Sequence, residues 1–232
     1  MENIMYFKDK NSKSLRCTIN ELPAIPRGQQ RGEWTERPGL DGAQFESDDA
    51  INAADMPVNI YISPTADVNQ VIAWLRGTGQ LRFNNWPWFW RATIDAPLTL
   101  RPAPFNDGWN TTVTFKVQPH RYLYPEAEAF EVENGSFVEN PCTGEALPII
   151  QIEGTGDINM MVGRETLLIS NLTQPVTIDC EAKIAYGGEI ETMMTGFISP
   201  VEGWPVLNAG STAISWTGNI SRMVITPRWR WV

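Results

Sequence analysis

Turn-forming residues interrupt this sequence so often that long helices have little room to form. The chain has 18 glycines and 17 prolines among 232 residues. Between them lie short segments in which apolar and polar residues alternate, as at Trp88, Trp90, Ala92 and Ile94. A period of two places every second side chain on one face of a β-strand. The sequence therefore predicts a mainly β protein.

The second half of the chain shows this rhythm most regularly. Short strands separated by Gly, Asn or Pro turns at this spacing are typical of a β-sandwich. The predicted strands are Ile149–Ile152, Ile158–Val162, Leu167–Ser170, Val176–Cys180, Lys183–Tyr186, Ile190–Met194, Ala213–Trp216 and Met223–Thr226.

One segment, at about 66–76, has the pattern of a helix. Val68, Val71, Ile72 and Leu75 recur at the spacing that lines one helical face. The hydroxyls within 63–65 are suited to capping its start, and Gly77 to ending it.

An acidic, proline-bounded segment, Pro125–Pro141, separates two strand-rich blocks. Such segments are typical of domain boundaries. We expect a first domain at 1–134 and a second at 135–232. The region Arg27–Asp55, acidic and poor in apolar residues, is expected to be an extended surface segment that reaches a neighbouring molecule.

Composition excludes several functions. The net charge of −9 and the pI near 4.7 argue against a surface that grips nucleic-acid phosphates. The single histidine, His120, rules out zinc sites with two or three histidines. Cys17, Cys142 and Cys180 are too few and too scattered for a disulfide framework, so we expect reduced, buried thiols. The chain also shows neither a signal peptide nor a run of about 18 apolar residues, so we expect no membrane insertion.

No motif for catalysis, a cofactor or a metal stands out. The closely spaced carboxylates favour solvated surfaces over general acid–base pairs. These are Asp48–Asp49, Glu126 with Glu128, Glu131 with Glu133, and Glu189 with Glu191. The sequence predicts a protein that is not an enzyme and needs no cofactor.

The aromatic run Trp86–Trp90 has two interpretations. Exposed rings bind sugars or bases by stacking. However, Trp88 and Trp90 share a strand face with Ala92 and Ile94, which favours a core, and only Trp86 is expected to be exposed in the turn.

Several segments, in this order, resemble the distal tail (Dit) proteins of long-tailed siphophages. Trp74–Phe83 is similar to that family's W-L-x-G-x-G-x-L-x-F stretch, and Trp90–Ile94 to its aromatic-x-A-x-I strand. Val113–Tyr122 resembles the V-x-F-x-V-Q-P-x-x-Y close of its first domain. Ile214–Ile220 and Ile225–Arg230 resemble its last hairpin. The matches span about residues 70–230.

This resemblance implies a β-rich, ring-forming first domain with one helix, followed by a galectin-like β-sandwich. It further implies a homohexameric ring at the distal end of the tail of the virion. The ring would join the major tail tube protein to the tail hub and the receptor-binding proteins, and DNA would cross its channel without specific binding. The contiguous strand blocks between Ile149 and Arg230 leave no space for an inserted carbohydrate-binding module.

A ring subunit must bury apolar surface between copies, and such interfaces are rich in tryptophan. We therefore expect part of the tryptophan content, with the helix and the 27–55 segment, to serve subunit contacts; the candidate residues are Trp34, Trp74 and Trp86. The alternative is a carbohydrate-binding, lectin-like module, although the second domain lacks the histidine of the galectin sugar site. A wall-degrading hydrolase is a third class, for which no acid–base pair is found.

Overall fold

The predicted mainly β class is confirmed. A computed structural model describes residues 2–39, 41–187, 192–193 and 198–232. The chain divides into two units, Met1–Arg121 and Tyr122–Val232, and each unit has its own hydrophobic core.

The first unit is built around an antiparallel sheet with strand order β2-β1-β7-β8-β10-β6-β3; β9 pairs with β10, and β4 and β5 form a separate two-stranded sheet. Its elements are β1 Met5–Phe7, β2 Lys10–Asn11, β3 Cys17–Ile19, β4 Gln30–Glu36, β5 Ala43–Ile51, β6 Ala54–Ile62, α1 Val68–Trp74, β7 Gly77–Phe83, β8 Trp88–Ile94, β9 Arg101–Pro102, a 3₁₀ turn Pro104–Asn106, and β10 Trp109–Leu123.

The core of the first unit follows the alternating pattern of its strands. Trp90, Ala92 and Ile94 are buried, as their spacing predicted. Phe7 on β1 meets Phe115 on β10 edge to face, with 5.2 Å between ring centroids. This is a favourable aromatic geometry.

The helix is shorter than predicted and begins differently. It spans Val68–Trp74, and its N-cap is Asp67, whose Oδ1 accepts from the Asn69 and Gln70 amides. The hydroxyls of Ser63 and Thr65 instead bond to each other in the preceding turn. Gly77 has the positive φ expected of a glycine after a helix, but it already begins β7.

The second unit contains a sheet with the strand order β11-β19-β13-β15-β16-β17. In addition, β12 pairs with β19, and β14 pairs with both β13 and β18. Its strands are β11 Phe130–Glu131, β12 Ser136–Asn140, β13 Ile149–Val162, β14 Glu165–Leu172, β15 Val176–Asp179, β16 Ile184–Gly187, β17 Thr192–Met193, β18 Ile198–Pro200 and β19 Gly210–Thr226. A last short strand, β20 Arg230–Trp231, pairs with β10 and not with this sheet.

Two predicted pairs of short strands are single long strands in the structure. β13 continues through Gly154, and β19 through Gly218, where the sequence indicated turns. A Cβ on Gly154 would lie 2.4 Å from the Asn219 carbonyl oxygen, and one on Gly218 would lie 2.4 Å from that of Asp157. These glycines therefore permit a close approach at a β-bulge between β13 and β19.

The unit boundary lies before the position that the acidic segment indicated. The expected division at 134–135 falls inside the second unit, because Phe130 and Glu131 pair with β19. Val132 is buried in the second core, and its amide donates to the Met223 carbonyl at 3.0 Å. The acidic segment is thus joined to the second unit by hydrogen bonds and burial.

With this division, the net charge lies entirely in one unit. The first unit has thirteen basic and thirteen acidic residues, whereas the second has five basic and fourteen acidic residues.

Candidate functional site

The described residues contain no arrangement typical of a metal centre or of a reactive thiol. No group of three or more His, Cys, Asp or Glu side chains is placed to hold a metal ion in that part of the chain. All three cysteines are buried, which raises the pKa of Cys17 and Cys142 to about 11 and that of Cys180 to about 12. Within the same residues, no helix is long and apolar enough to cross a membrane.

Two of the four carboxylate pairs contribute one side chain each to a surface ion pair. Asp48 accepts from the Arg31 guanidinium, and this bond is the main reason why the pKa of Asp48 lies below its usual value. Glu131 pairs with Arg222 at 3.4 Å. Glu189 and Glu191 lie outside the described residues.

The segment expected to be an extended surface region is a β-hairpin, which we call the arm (β4 and β5). The arm pairs with no other strand among the described residues, and every residue of β4 is exposed. At its base the Asn52 amide donates to the Gln29 carbonyl at 2.9 Å.

The two faces of the arm differ in chemistry. Trp34 is opposite Phe45 in the register, with ring centroids 5.2 Å apart, and Gly32 leaves space beneath the Phe45 ring. Glu36 lies two residues beyond Trp34 and therefore on the same face, whereas Glu33 lies on the opposite face. Trp34 remains 70% exposed, so the arm presents an aromatic face that no core covers.

Trp86 lies in the β7–β8 turn, where the sequence placed it, but it is partly buried. Its ring stacks on Trp88 at 5.8 Å and meets Phe83 and Trp90 edge to face at 4.9 and 5.4 Å. The Trp86 side chain therefore belongs partly to the core and partly to the surface.

Trp74 belongs to the core of the first unit. It is 4% exposed, and its indole Nε1–H donates to the Phe7 carbonyl at 2.9 Å. A side chain buried this deeply has almost no surface to offer to a second subunit, so we do not retain Trp74 as an interface residue. The structure does not bring the three candidate tryptophans together: Trp34 lies on the arm, Trp86 in a turn and Trp74 on α1.

The second unit contains an exposed apolar surface that the sequence analysis missed. Phe137, Met161 and Leu168, on β12, β13 and β14, are 69%, 46% and 38% exposed. Small residues such as Ala213 and Ser215 on β19 lie between them in the register. The alternation along β12 and β13 could have indicated this surface, because Phe137 and Met161 occupy positions on the polar, outward-facing side of their strands.

An ion-pair cluster that the sequence analysis also missed fixes the chain near its end. Arg228 donates two hydrogen bonds of 2.8 Å to Asp179 and also lies 3.3 Å from Glu181. These bonds hold the pKa of Asp179 below its usual value, against the opposing effect of burial. The neighbouring Trp229 is buried in the second core, and Arg230 and Trp231 after it form β20.

Comparison with known proteins identifies the fold. No protein-family model and no curated protein matches the sequence. Among solved structures, the Dit protein of phage SPP1, presented as a paradigm of the hub adsorption apparatus in phages infecting Gram-positive bacteria, aligns over 100% of both chains. The TM-score is 0.78 and the sequence identity is 12%. The chain has the fold of this distal tail protein.

Two baseplate structures of phage P2 also align with the chain. The calcium form gives a TM-score of 0.55 at 9% identity over 98% of each chain. The strontium form gives 0.50 at 10% identity over 98% of this chain and 97% of the other. The resemblance indicated by the ordered motifs is thus confirmed in the three-dimensional fold.

Proposed function

We propose that this chain is a structural protein of a phage tail tip, located at the distal end of the tail of the virion. Six copies form a ring that joins the tail tube protein to the tail hub and to receptor-binding proteins. The full-length fold match to SPP1 Dit is the observation that carries this proposal.

The charge distribution is suited to a ring through which DNA passes. Nucleic-acid binding depends on basic residues that neutralise phosphates. The first unit, to which we assign the ring, has thirteen basic and thirteen acidic residues, and the second has five basic and fourteen acidic ones, so neither unit has the excess of basic residues that holds DNA. In this proposal DNA crosses the channel without specific binding.

The arm supplies the contact between subunits. A two-stranded hairpin is only marginally stable by itself in water. The arm has no third strand among the described residues, and its Trp34 is largely exposed, so a partner that covers its aromatic face would stabilise it. Trp86 is the second proposed interface residue.

The test is the assembly state of the purified chain. We expect light scattering to give the mass of six copies and negative-stain images to show six-fold rings. Trp34→Ala should lower the mass without unfolding the monomer, which circular dichroism checks. Trp34 is a cleaner probe than Trp86, because Trp86→Ala also removes contacts with Phe83 and Trp90.

The matched control is Phe137→Ala, which removes a similarly exposed ring from the other unit and should leave the mass unchanged. A chain that stays monomeric at all concentrations, or rings that persist in Trp34→Ala, would contradict the role given to the arm.

A lectin-like function is the second candidate. The exposed Phe137 ring, beside the small residue Ala213, offers a surface on which a sugar ring could stack. Glycan-array binding that disappears in Phe137→Ala would support this function. Binding to no glycan would eliminate it.

A further inference from the structure

A groove in the first unit lies beside the end of α1. It has a volume of about 530 Å³, and apolar side chains line most of it. These are Ile72, Leu75, Ile94, Ala96, Pro97 and Leu98. Arg76 and Asp95 also line the groove.

Ile72 is the unusual member of this groove. The helical periodicity predicts that it is buried with Val71 and Leu75, yet it is 43% exposed. The other two are buried in the core of the first unit. The helix therefore leaves one apolar residue of its buried face on the surface, in the wall of a groove.

The arm has the complementary property: an aromatic face without a core. Trp34 and Phe45 belong to neither hydrophobic core among the described residues. The Trp34 ring is thus a large apolar group, and its transfer from water into an apolar groove is favourable.

The charges of the first unit favour a second copy of this chain as the partner. The arm, residues 30–51, has two basic and six acidic residues. The rest of the first unit has eleven basic and seven acidic residues. The arm therefore has a net charge of −4 and the remainder +4, so the arm of one copy is attracted to the body of another.

The same complementarity exists at single residues. Glu36 shares the face of Trp34 on the arm, about 7 Å further along the strand. Arg76 lies at the groove. In the described part of the chain, neither side chain has an ion pair or a side-chain hydrogen bond, which leaves both charges available to a partner.

We infer that the Trp34 face of the arm docks into the α1 groove of a second copy, with Glu36 facing Arg76. The arm and the groove are different surfaces of one chain, so the contact is heterologous and repeats from copy to copy. Repetition closes into a ring when the rotation between copies allows it. The inference rests on the proposed ring and names the surface that receives the arm.

Charge reversal tests the contact. Glu36→Lys and Arg76→Glu should each raise the dissociation constant of the assembly about tenfold, and the double variant should restore it. Glu33→Lys is the matched control: it makes the same charge change on the opposite face of the arm and should have no such effect. All of these positions are exposed, so each variant should remain folded as a monomer, which circular dichroism checks.

Disulfide trapping gives a second, independent readout. Glu36→Cys combined with Arg76→Cys should yield covalent multimers under mild oxidation, whereas Glu33→Cys combined with Arg76→Cys should not. The native cysteines do not interfere, because all three are buried.

The outcomes separate this inference from the ring itself. Two results together would overturn the groove contact and leave the ring standing: rings form but Glu36→Cys with Arg76→Cys gives no covalent multimers, and the double charge variant does not restore the dissociation constant. A wild-type chain that never assembles would overturn both. Cross-linked multimers together with rescue would support both.

Discussion

Tryptophans of this chain have opposite roles, and the neighbours of each ring decide which role it has. Trp74 is enclosed by the core and donates its only polar hydrogen to a backbone carbonyl. Trp34 has the same chemistry but lies on an arm that has no core beneath it. Sequence context did not separate the two, since both were candidates for a subunit interface.

Replacing Trp74 by Phe should lower the free energy of unfolding by about 2 kcal/mol, because the Phe7 carbonyl loses a buried hydrogen bond. Urea denaturation followed by circular dichroism measures this. Trp34→Phe is the control and should not change the denaturation midpoint. Equal effects of the two substitutions would contradict the assignment of Trp74 to the core.

Asp179 should make stability depend on pH. Its pKa is lower in the folded chain because Arg228 donates to it, so its contribution is complete above its unfolded pKa of about 4. The contribution is lost as the pH falls through the lower, folded value. We therefore expect the melting temperature to fall on acidification below about pH 4, and less steeply in Asp179→Asn.

The control for this measurement is Asp48→Asn. Asp48 also pairs with an arginine, but both of those side chains are at least half exposed and screened by water. The melting temperature of Asp48→Asn should therefore fall with acidification as steeply as that of the wild type. An unchanged slope in Asp179→Asn would contradict the role of the Arg228 cluster.

At the scale of elements, short-range signals predicted the type of each segment better than its ends. The seven-residue helix gives Val71 and Trp74 to the core, although its predicted cap lay upstream of the real one. The strands of the second unit alternate as expected, but Gly154 and Gly218 allow two long strands to pass each other closely instead of turning.

The Asp67 cap should be measurable in the stability of the whole first unit. Asp67→Ala should cost about 1 kcal/mol, because it leaves the Asn69 and Gln70 amides without their acceptor. Asp67→Asn retains an acceptor at the same position and should cost much less. Chemical denaturation of the two variants distinguishes them, and equal losses would show that the cap geometry is unimportant.

At the scale of the whole molecule, the unit boundary determines how charge is distributed. A division at Arg121 makes the first unit neutral and assigns the full −9 to the second. It also shows that the acidic segment after Pro125 contributes a strand and the buried Val132 to the second unit. Its composition resembled a linker, but its pairing is that of a structural element.

Fragments test this boundary. We expect residues 122–232 to unfold cooperatively, because the residues of their core lie within that range. A fragment of residues 135–232 lacks β11 and Val132 and should melt about 10 °C lower. Thermal circular dichroism compares them, and equal melting temperatures would support the later boundary.

The sequence by itself determined the class of the fold and most of the buried faces. Alternation at Trp90, Ala92 and Ile94 is a local property: the backbone fixes which side chains share a face, whatever the partner strand is. Turn residues between the alternating segments act over equally short distances. The ordered motifs added a resemblance that the fold confirmed.

Only the tertiary structure decided which apolar groups stay uncovered. Ile72 has the spacing of a core residue and Trp34 is of a residue type common at interfaces, yet both are exposed because neither belongs to a hydrophobic core of the described residues. Burial depends on contacts between segments far apart in the chain, and local periodicity contains no information about those contacts. For the same physical reason, the pairing of Arg228 with Asp179 and the extent of the second unit became visible only in the fold.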